Sequence, residues 1–174
     1  MSDPLLDPLP ALIAQLFGNG DQGAFYIPQP VVLGQQVLFQ DAAGTVPAAD
    51  GDPVGYMQDL SGNGNHASQS TSAARMAYSG GYLVPDGVDD NINIPIGSGF
   101  TGDFALLLST GPIFGSIDTA TDSGWAYTTD ARYIPDGDIH AIIVLDRALT
   151  TAEKQQIISH FSAGIISRPS TARE

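Results

Sequence analysis

The sequence predicts a mainly β fold, two facing layers of short strands with helix confined to the chain ends, and three observations lead there. Twenty Gly and 12 Pro among 174 residues put turn formers every few positions, the punctuation of short strands and not of a helical bundle. A hydrophobic content of 43% against 14% charged residues is enough for one buried core, and the length fits one domain. Short apolar stretches separated by Gly, Asn and Asp clusters fill the chain from Val54 to Leu145, the rhythm of a sandwich or barrel.

Leu9, Leu12, Ile13, Leu16 and Phe17 recur at helical spacing, and Gly18 and Gly20 follow where a left-handed cap can stop the turn. The stripe fits a helix packed on its own sandwich and equally a plug docked into a neighbouring subunit. From 18 to 52 the chain is broken by Pro28, Pro30, Gly34, Gly44, Pro47 and Gly51 and reads as a surface strap with little regular structure. Residues 1–51 are therefore expected to be an N-terminal helix and extended strap, 52–166 a β-sandwich with a closing helix, and 167–174 a flexible tail.

Within the sandwich, strands are expected at 54–57, 82–84, 92–94, 104–108, 125–128 and 139–145. The last, IHAIIVL, is apolar on both faces and so belongs at the centre, with His140 its one polar interruption. Thr150 and Glu153 form a capping box that opens a helix over 151–163. Ile157, Ile158 and Phe161 supply its apolar stripe and Gly164 its stop.

Six Lys and Arg face 19 Asp and Glu, a formal net charge of -13 that repels a phosphate backbone and an anionic membrane surface. The same surplus fits either a protein kept soluble at high copy number or an ordinary solvated surface. No cysteine is present, which removes disulfides, thiolate metal sites and a Cys nucleophile. The opening MSDPLLDPLPALIAQLF places Asp3 and Asp7 where a secretory signal carries Lys or Arg, and no apolar run reaches membrane-spanning length. Neither signal-directed export nor membrane insertion is expected.

Five segments carry a resemblance: LFGNGDQGAFYIP (16–28), LFQDAAGTVPA (38–48), DLSGNGNHA (59–67), DGVDDNINI (86–94) and IHAIIVLDRALTTAE (139–153). In this order they resemble phage and prophage virion proteins with a laminin-G-like or concanavalin-like jelly roll. The resemblance implies a jelly-roll sandwich with a short N-terminal and a C-terminal helix. It also implies a structural or decorating role on the head or tail surface of a tailed-phage virion, alongside other virion proteins and copies of itself. Such jelly rolls are often lectins, so a glycan-binding host-attachment module is the alternative. The chain departs from the family between Ile94 and Ile139, where room remains for about four or five strands. The sandwich is thus expected to be shortened in the middle, with edges that a neighbour completes.

Asp59, Ser61, Asn63 and Asn65 alternate around Gly62 and Gly64 like the first half of a calcium loop, but the twelfth position is Ser70 and not a bidentate Glu. The other reading is a turn in which Asn63 and Asn65 take left-handed conformations and Asp59 bonds backbone N–H groups. Asp86, Asp89 and Asp90 form a second acidic turn; in the laminin-G fold it can approach the first, and clustered carboxylates there would take calcium to offset their repulsion. The other reading is a solvated turn whose Asp86 and Gly87 start a hairpin.

For a glycan, Tyr82, Trp125 and Tyr127, with Tyr78 and Tyr133, offer stacking faces, though a place in the core or at an interface accounts for each of them better. No catalytic residue is expected and the chain does not read as an enzyme. Glu153 and Glu174 are its only glutamates, and His66, His140 and His160 lie in no zinc or nucleophile motif. His140 reads as a hydrogen-bonded strand residue, His66 as a turn residue and His160 as lying on the polar face of its helix.

Overall fold

The computed structural model describes residues 8–96, 100–118, 126–128 and 137–165. In chain order these form helix α1 (Leu9–Phe17), then strands β1 (Gly23–Tyr26), β2 (Val31–Val32), β3 (Gln35–Gln36), β4 (Leu38–Phe39), β5 (Tyr56–Met57) and β6 (Ala67–Ser68). A single 3-10 turn, Ser72–Ala74, precedes β7 (Ala77–Ser79), β8 (Tyr82–Val84), β9 (Asn91–Asn93), β10 (Thr101–Leu108), β11 (Gly111–Asp118), β12 (Ala126–Thr128) and β13 (Ile139–Leu145). Helix α2 (Thr151–Ile165) follows. The protein is mainly β, with antiparallel sheets and two helices.

The larger sheet runs β11-β10-β13-β8-β7. β13 lies at its centre, with β10 along one side and β1 and β8 in line along the other, β1 opposite 142–145 and β8 opposite Ile139. The smaller sheet runs β12-β9-β6-β5-β4, and β2 and β3 form a separate ribbon.

Side chains alternate along a strand, so β13 feeds two cores at once. Ile142 and Val144, with Tyr26, Leu83 and Leu106, meet Leu38, Met57, Ala67 and Ile92 of the smaller sheet. On the opposite face Ile143 and Leu145, with Phe25, Ala105 and Leu107, meet Leu9, Leu12 and Leu16 of α1 and Ile157 and Phe161 of α2. The result is three layers: helices, large sheet, small sheet. Every residue of β13 is buried, which explains why its sequence shows no polar alternation. Its ladder with β10 is irregular at one place: Leu107 faces Ala141 and Leu108 faces Ile139, leaving His140 as the extra residue of a bulge.

Both helices form where the sequence places them, with differences at their ends. Helix α1 spans the expected residues and has Pro10 in its first turn, where the missing N–H costs no hydrogen bond. Its apolar stripe is consumed by the protein's own sheet, so the plug reading is set aside. Gly18 is still helical, and the left-handed residue is Gly20 at φ 84. The capping box forms as expected: the Thr150 N–H donates to Glu153 Oε2 at 2.8 Å and the Glu153 N–H to Thr150 Oγ1 at 3.2 Å. Helix α2 continues through Gly164 to Ile165. Ile158 is 38% exposed, whereas His160 is buried beside Phe161. The inward stripe is therefore Glu153, Ile157, His160 and Phe161, and His160 does not lie on the polar face.

The largest correction concerns the stretch 18–52. It is no surface strap: all four residues of β1 are buried against β13, and Leu38 of β4 is wholly buried in the core. Expected strands 82–84 and 139–145 form as read; 54–57 shortens to its last two residues, 92–94 shifts by one, and 104–108 starts earlier, at Thr101. Trp125 lies outside the described residues.

Candidate functional site

The loop 59–67 is a clasp on the start of β1. Asp59 is buried, and its Oδ1 accepts the backbone N–H groups of Phe25 and Ser61, each at 2.9 Å. Its Oδ2 accepts the Asn65 N–H at 3.0 Å and the Ser61 hydroxyl at 2.8 Å. Asn63 donates its side-chain N–H to the carbonyls of Asp21 and Gly23, and Asn65 donates to Gly23 at 2.8 Å. The Tyr26 hydroxyl donates to the Asn65 carbonyl, and the His66 Nδ1 accepts the Asp59 N–H at 3.1 Å. Burial pushes the Tyr26 hydroxyl well above the usual phenol range, and the neighbouring Asp59 and Tyr56 add to the shift.

This geometry chooses between the two readings of the loop. Both carboxylate oxygens of Asp59 already face hydrogen-bond donors, so the loop presents N–H groups where a calcium ion needs oxygens. Gly62 and Gly64, at φ 89 and 78, take the left-handed conformations expected of Asn63 and Asn65, which frees the two Asn side chains to tie down residues 21–23.

The second turn does gather acids: one carboxylate oxygen from each of Asp86, Asp89 and Asp90 lies within 4.8 Å of the others. Asp59 is not in that group, so the expected meeting of the two acidic turns does not form. Nor does the turn start a hairpin, because β8 belongs to the large sheet and β9 to the small one; it is a crossover between layers. Asp86 and Asp89 are exposed and Asp90 is buried. Burial raises the Asp90 pKa, the Asp86 N–H donating to Asp90 Oδ2 at 2.8 Å pulls it back, and the charges of Asp86 and Asp89 raise it further. Together they offer three oxygens to a hard cation.

The aromatic candidates divide. The Tyr82 ring meets the His140 ring edge-on with centroids 5.0 Å apart, a packing contact beneath the helical layer. Tyr78 is buried in the core between the sheets. Tyr127 sits in β12 opposite Ile92, and Trp125 and Tyr133 lie outside the described residues. His140, only 1% exposed, stacks edgewise on Phe161 as well, and Phe161 in turn meets His160 at 4.8 Å between centroids.

A further group went unread in the sequence. Arg147, at the exit of β13, makes a two-pronged ion pair with Glu153 (2.7 and 3.0 Å) and another with Asp21 at 3.0 Å. It also donates to the Leu16 carbonyl at the end of α1 at 3.2 Å. One guanidinium at the exit of β13 thus joins both helices and the segment that leads into β1. Hydrogen bonds from Arg147, opposed by burial and reinforced by Thr150, hold the Glu153 carboxyl down to about 2.

Other acids hold loops in the same way. Asp41 accepts the N–H groups of Thr45 and Val46, Asp50 that of Gly80, Asp52 that of Ala49 and Asp103 that of Leu149. Much of the negative charge therefore anchors backbone rather than merely solvating a surface.

No family model, curated protein or solved structure matches the chain. Among the described residues no helix is long and apolar enough to cross a membrane. Fold and site define a mainly β protein whose loops are locked to its sheets by carboxylate-to-backbone bonds.

Proposed function

We propose that the chain is a structural or decorating subunit of a tailed-phage virion, built on a shortened laminin-G-like jelly roll, and that it works by assembly with other virion proteins and copies of itself. The observation that carries this reading is the open edge of the large sheet. β11 pairs with β10 along all eight of its residues and has no strand on its other side among the described residues. Such an edge presents N–H and C=O groups that a neighbouring strand can complete. The five ordered segments of the sequence support the virion class. The chemistry of the loops supports a scaffold: their carboxylates are spent on holding backbone in place.

The test is a map of phage particles from cells carrying this gene, with peptides of the chain sought in the purified particles. The expected result is a repeating density of this size with a neighbour along 111–118. Absence of the chain from the particles, together with specific retention on a glycan array by the free protein, would replace this reading with a glycan-binding one.

A further inference from the structure

We infer that Asn63–Gly64 is a site of spontaneous deamidation, sealed while the loop 59–67 is closed on the start of β1, whose reaction makes an opening of that loop permanent.

The sequence holds two Asn-Gly pairs, Asn19–Gly20 and Asn63–Gly64. In such a pair no side chain on the second residue shields its backbone nitrogen, which can attack the Asn carboxamide carbon. At 63–64 the Gly64 nitrogen gives its proton to solvent and bonds to Asn63 Cγ, the Cγ–Nδ2 bond breaks, and ammonia leaves behind a cyclic imide. Water then opens the imide at either carbonyl. Attack at Cγ restores the chain with Asp at 63; attack at the main-chain carbonyl leaves isoaspartate, with the chain rerouted through Cγ. Water is consumed and ammonia released, and nothing is oxidised or reduced.

The fold treats the two partners of this reaction differently. Gly64 is exposed, at φ 78, and nothing lies within 4 Å of where a Cβ would stand, so the nucleophile is open. The leaving nitrogen is not. Asn63 Nδ2 donates to the Asp21 carbonyl at 3.1 Å and the Gly23 carbonyl at 3.2 Å, and the Asn63 N–H donates to Ser61 Oγ at 3.2 Å. Ammonia departs only when both side-chain bonds are given up, which means when the loop has lifted from 21–23. The folded chain therefore reacts at its unfolded rate scaled by the fraction of time the loop is open. The product cannot reseal: a carboxylate at 63 has no N–H to give and faces two carbonyl oxygens. Isoaspartate also lengthens the main chain between Asp59 and Asn65, which are bonded to each other at 3.0 Å. Asn19 is exposed just past α1, and its conversion releases no such clasp. The loop is thus a one-way latch on β1.

Peptide mass mapping of the full chain during incubation in mildly alkaline buffer, with Asp and isoaspartate separated, tests this. Conversion at Asn63 is expected to be at least about tenfold slower in the folded chain than in the same chain unfolded in urea. Asn65→Ala removes the 2.8 Å bond to the Gly23 carbonyl and should speed conversion at Asn63 several-fold at a temperature well below its thermal midpoint. Asn63→Asp should melt several degrees below the wild type, and Asn19→Asp should not. Where Asn63→Asp fails to fold, wild-type chain aged after folding and separated by ion exchange for its added negative charge gives the same comparison: the fraction altered at 63 should melt below the fraction altered at 19. Equal conversion rates at Asn63 in folded and unfolded chains, an Asn65→Ala chain that converts no faster, or a fraction altered at 63 that melts with the wild type each overturns the inference.

Discussion

Single carboxylates decide the local structure of this protein, and two of them respond to the same substitution in opposite directions. Asp59 has both oxygens occupied by donors from three different residues. Asp59→Asn places an N–H₂ against N–H groups and should cost about 3 kcal/mol, read as a lower urea midpoint. If chelating agents lowered the wild-type midpoint by a similar amount, a cation would be using Asp59 and this account would fail. Asp90 is buried beside Asp86 and Asp89 and its pKa is raised. Its contribution to stability is therefore present at low pH and is lost as pH rises through the raised value. Asp90→Asn keeps an oxygen for the Asp86 N–H, so at neutral pH it should be at least as stable as the wild type, with the advantage shrinking on acidification. A neutral-pH midpoint below that of the wild type would point to a cation on the acidic turn.

Helix α2 is held at its first turn, and that hold has a pH signature. Glu153 caps the helix and pairs with Arg147, which takes its carboxyl from an ordinary 4.5 down to about 2. The stabilisation is present above the ordinary value and is lost as pH falls from about 4.5 towards 2. Glu153→Gln should cost roughly 2–3 kcal/mol at neutral pH and flatten the acid limb of stability against pH; an unchanged limb counts against the pairing. β1 makes a sharper case. Gly23 adopts φ 142, and a Cβ there would lie 2.0 Å from the Val144 carbonyl oxygen. Gly23→Ala should cost more than about 3 kcal/mol by prising β1 from β13. Gly80→Ala, at φ 58 in open space, should cost only about 1 kcal/mol. Equal midpoints for the two variants would contradict the β1–β13 pairing.

These elements also show which parts of the fold were legible in the sequence. α1, β8, β13 and the start of α2 were: helical spacing marks α1, a capping box marks α2, and apolar runs bounded by turn formers mark β8 and β13. β1 was not: four consecutive buried residues beginning with Gly carry no alternation. Of the two-residue strands from β2 to β6 only β5 was expected, as the end of 54–57; the others are shorter than any period. β11 is masked by Pro112 and Gly115, which read as turn signals even though an edge strand tolerates them. At the candidate site, the acids and amides of 59–65 stood out. Their partners did not, since Asp59 bonds Phe25 from 34 positions away.

At the scale of the whole molecule, the first and last described elements close on each other. β1 lies against β13 with Gly23 opposite Leu145, α1 and α2 cover the same face of the large sheet, and Arg147 reaches back to Asp21 and Leu16. Contacts this distant in sequence form late, because the loop they close must be ordered before they contribute. Refolding is therefore expected on the millisecond to second scale. The same closure makes residues 8–27 part of the core. Their removal strips one side of β13 along 142–145 and uncovers Phe161, Ile157, Ala105 and Leu107. A chain lacking residues 1–27 should consequently lose its cooperative thermal transition and bind a hydrophobic dye, instead of leaving a smaller sandwich intact. If that truncated chain melted in one transition at the wild-type midpoint, the helical layer would be an appendage, and the three-layer account of stability would be wrong.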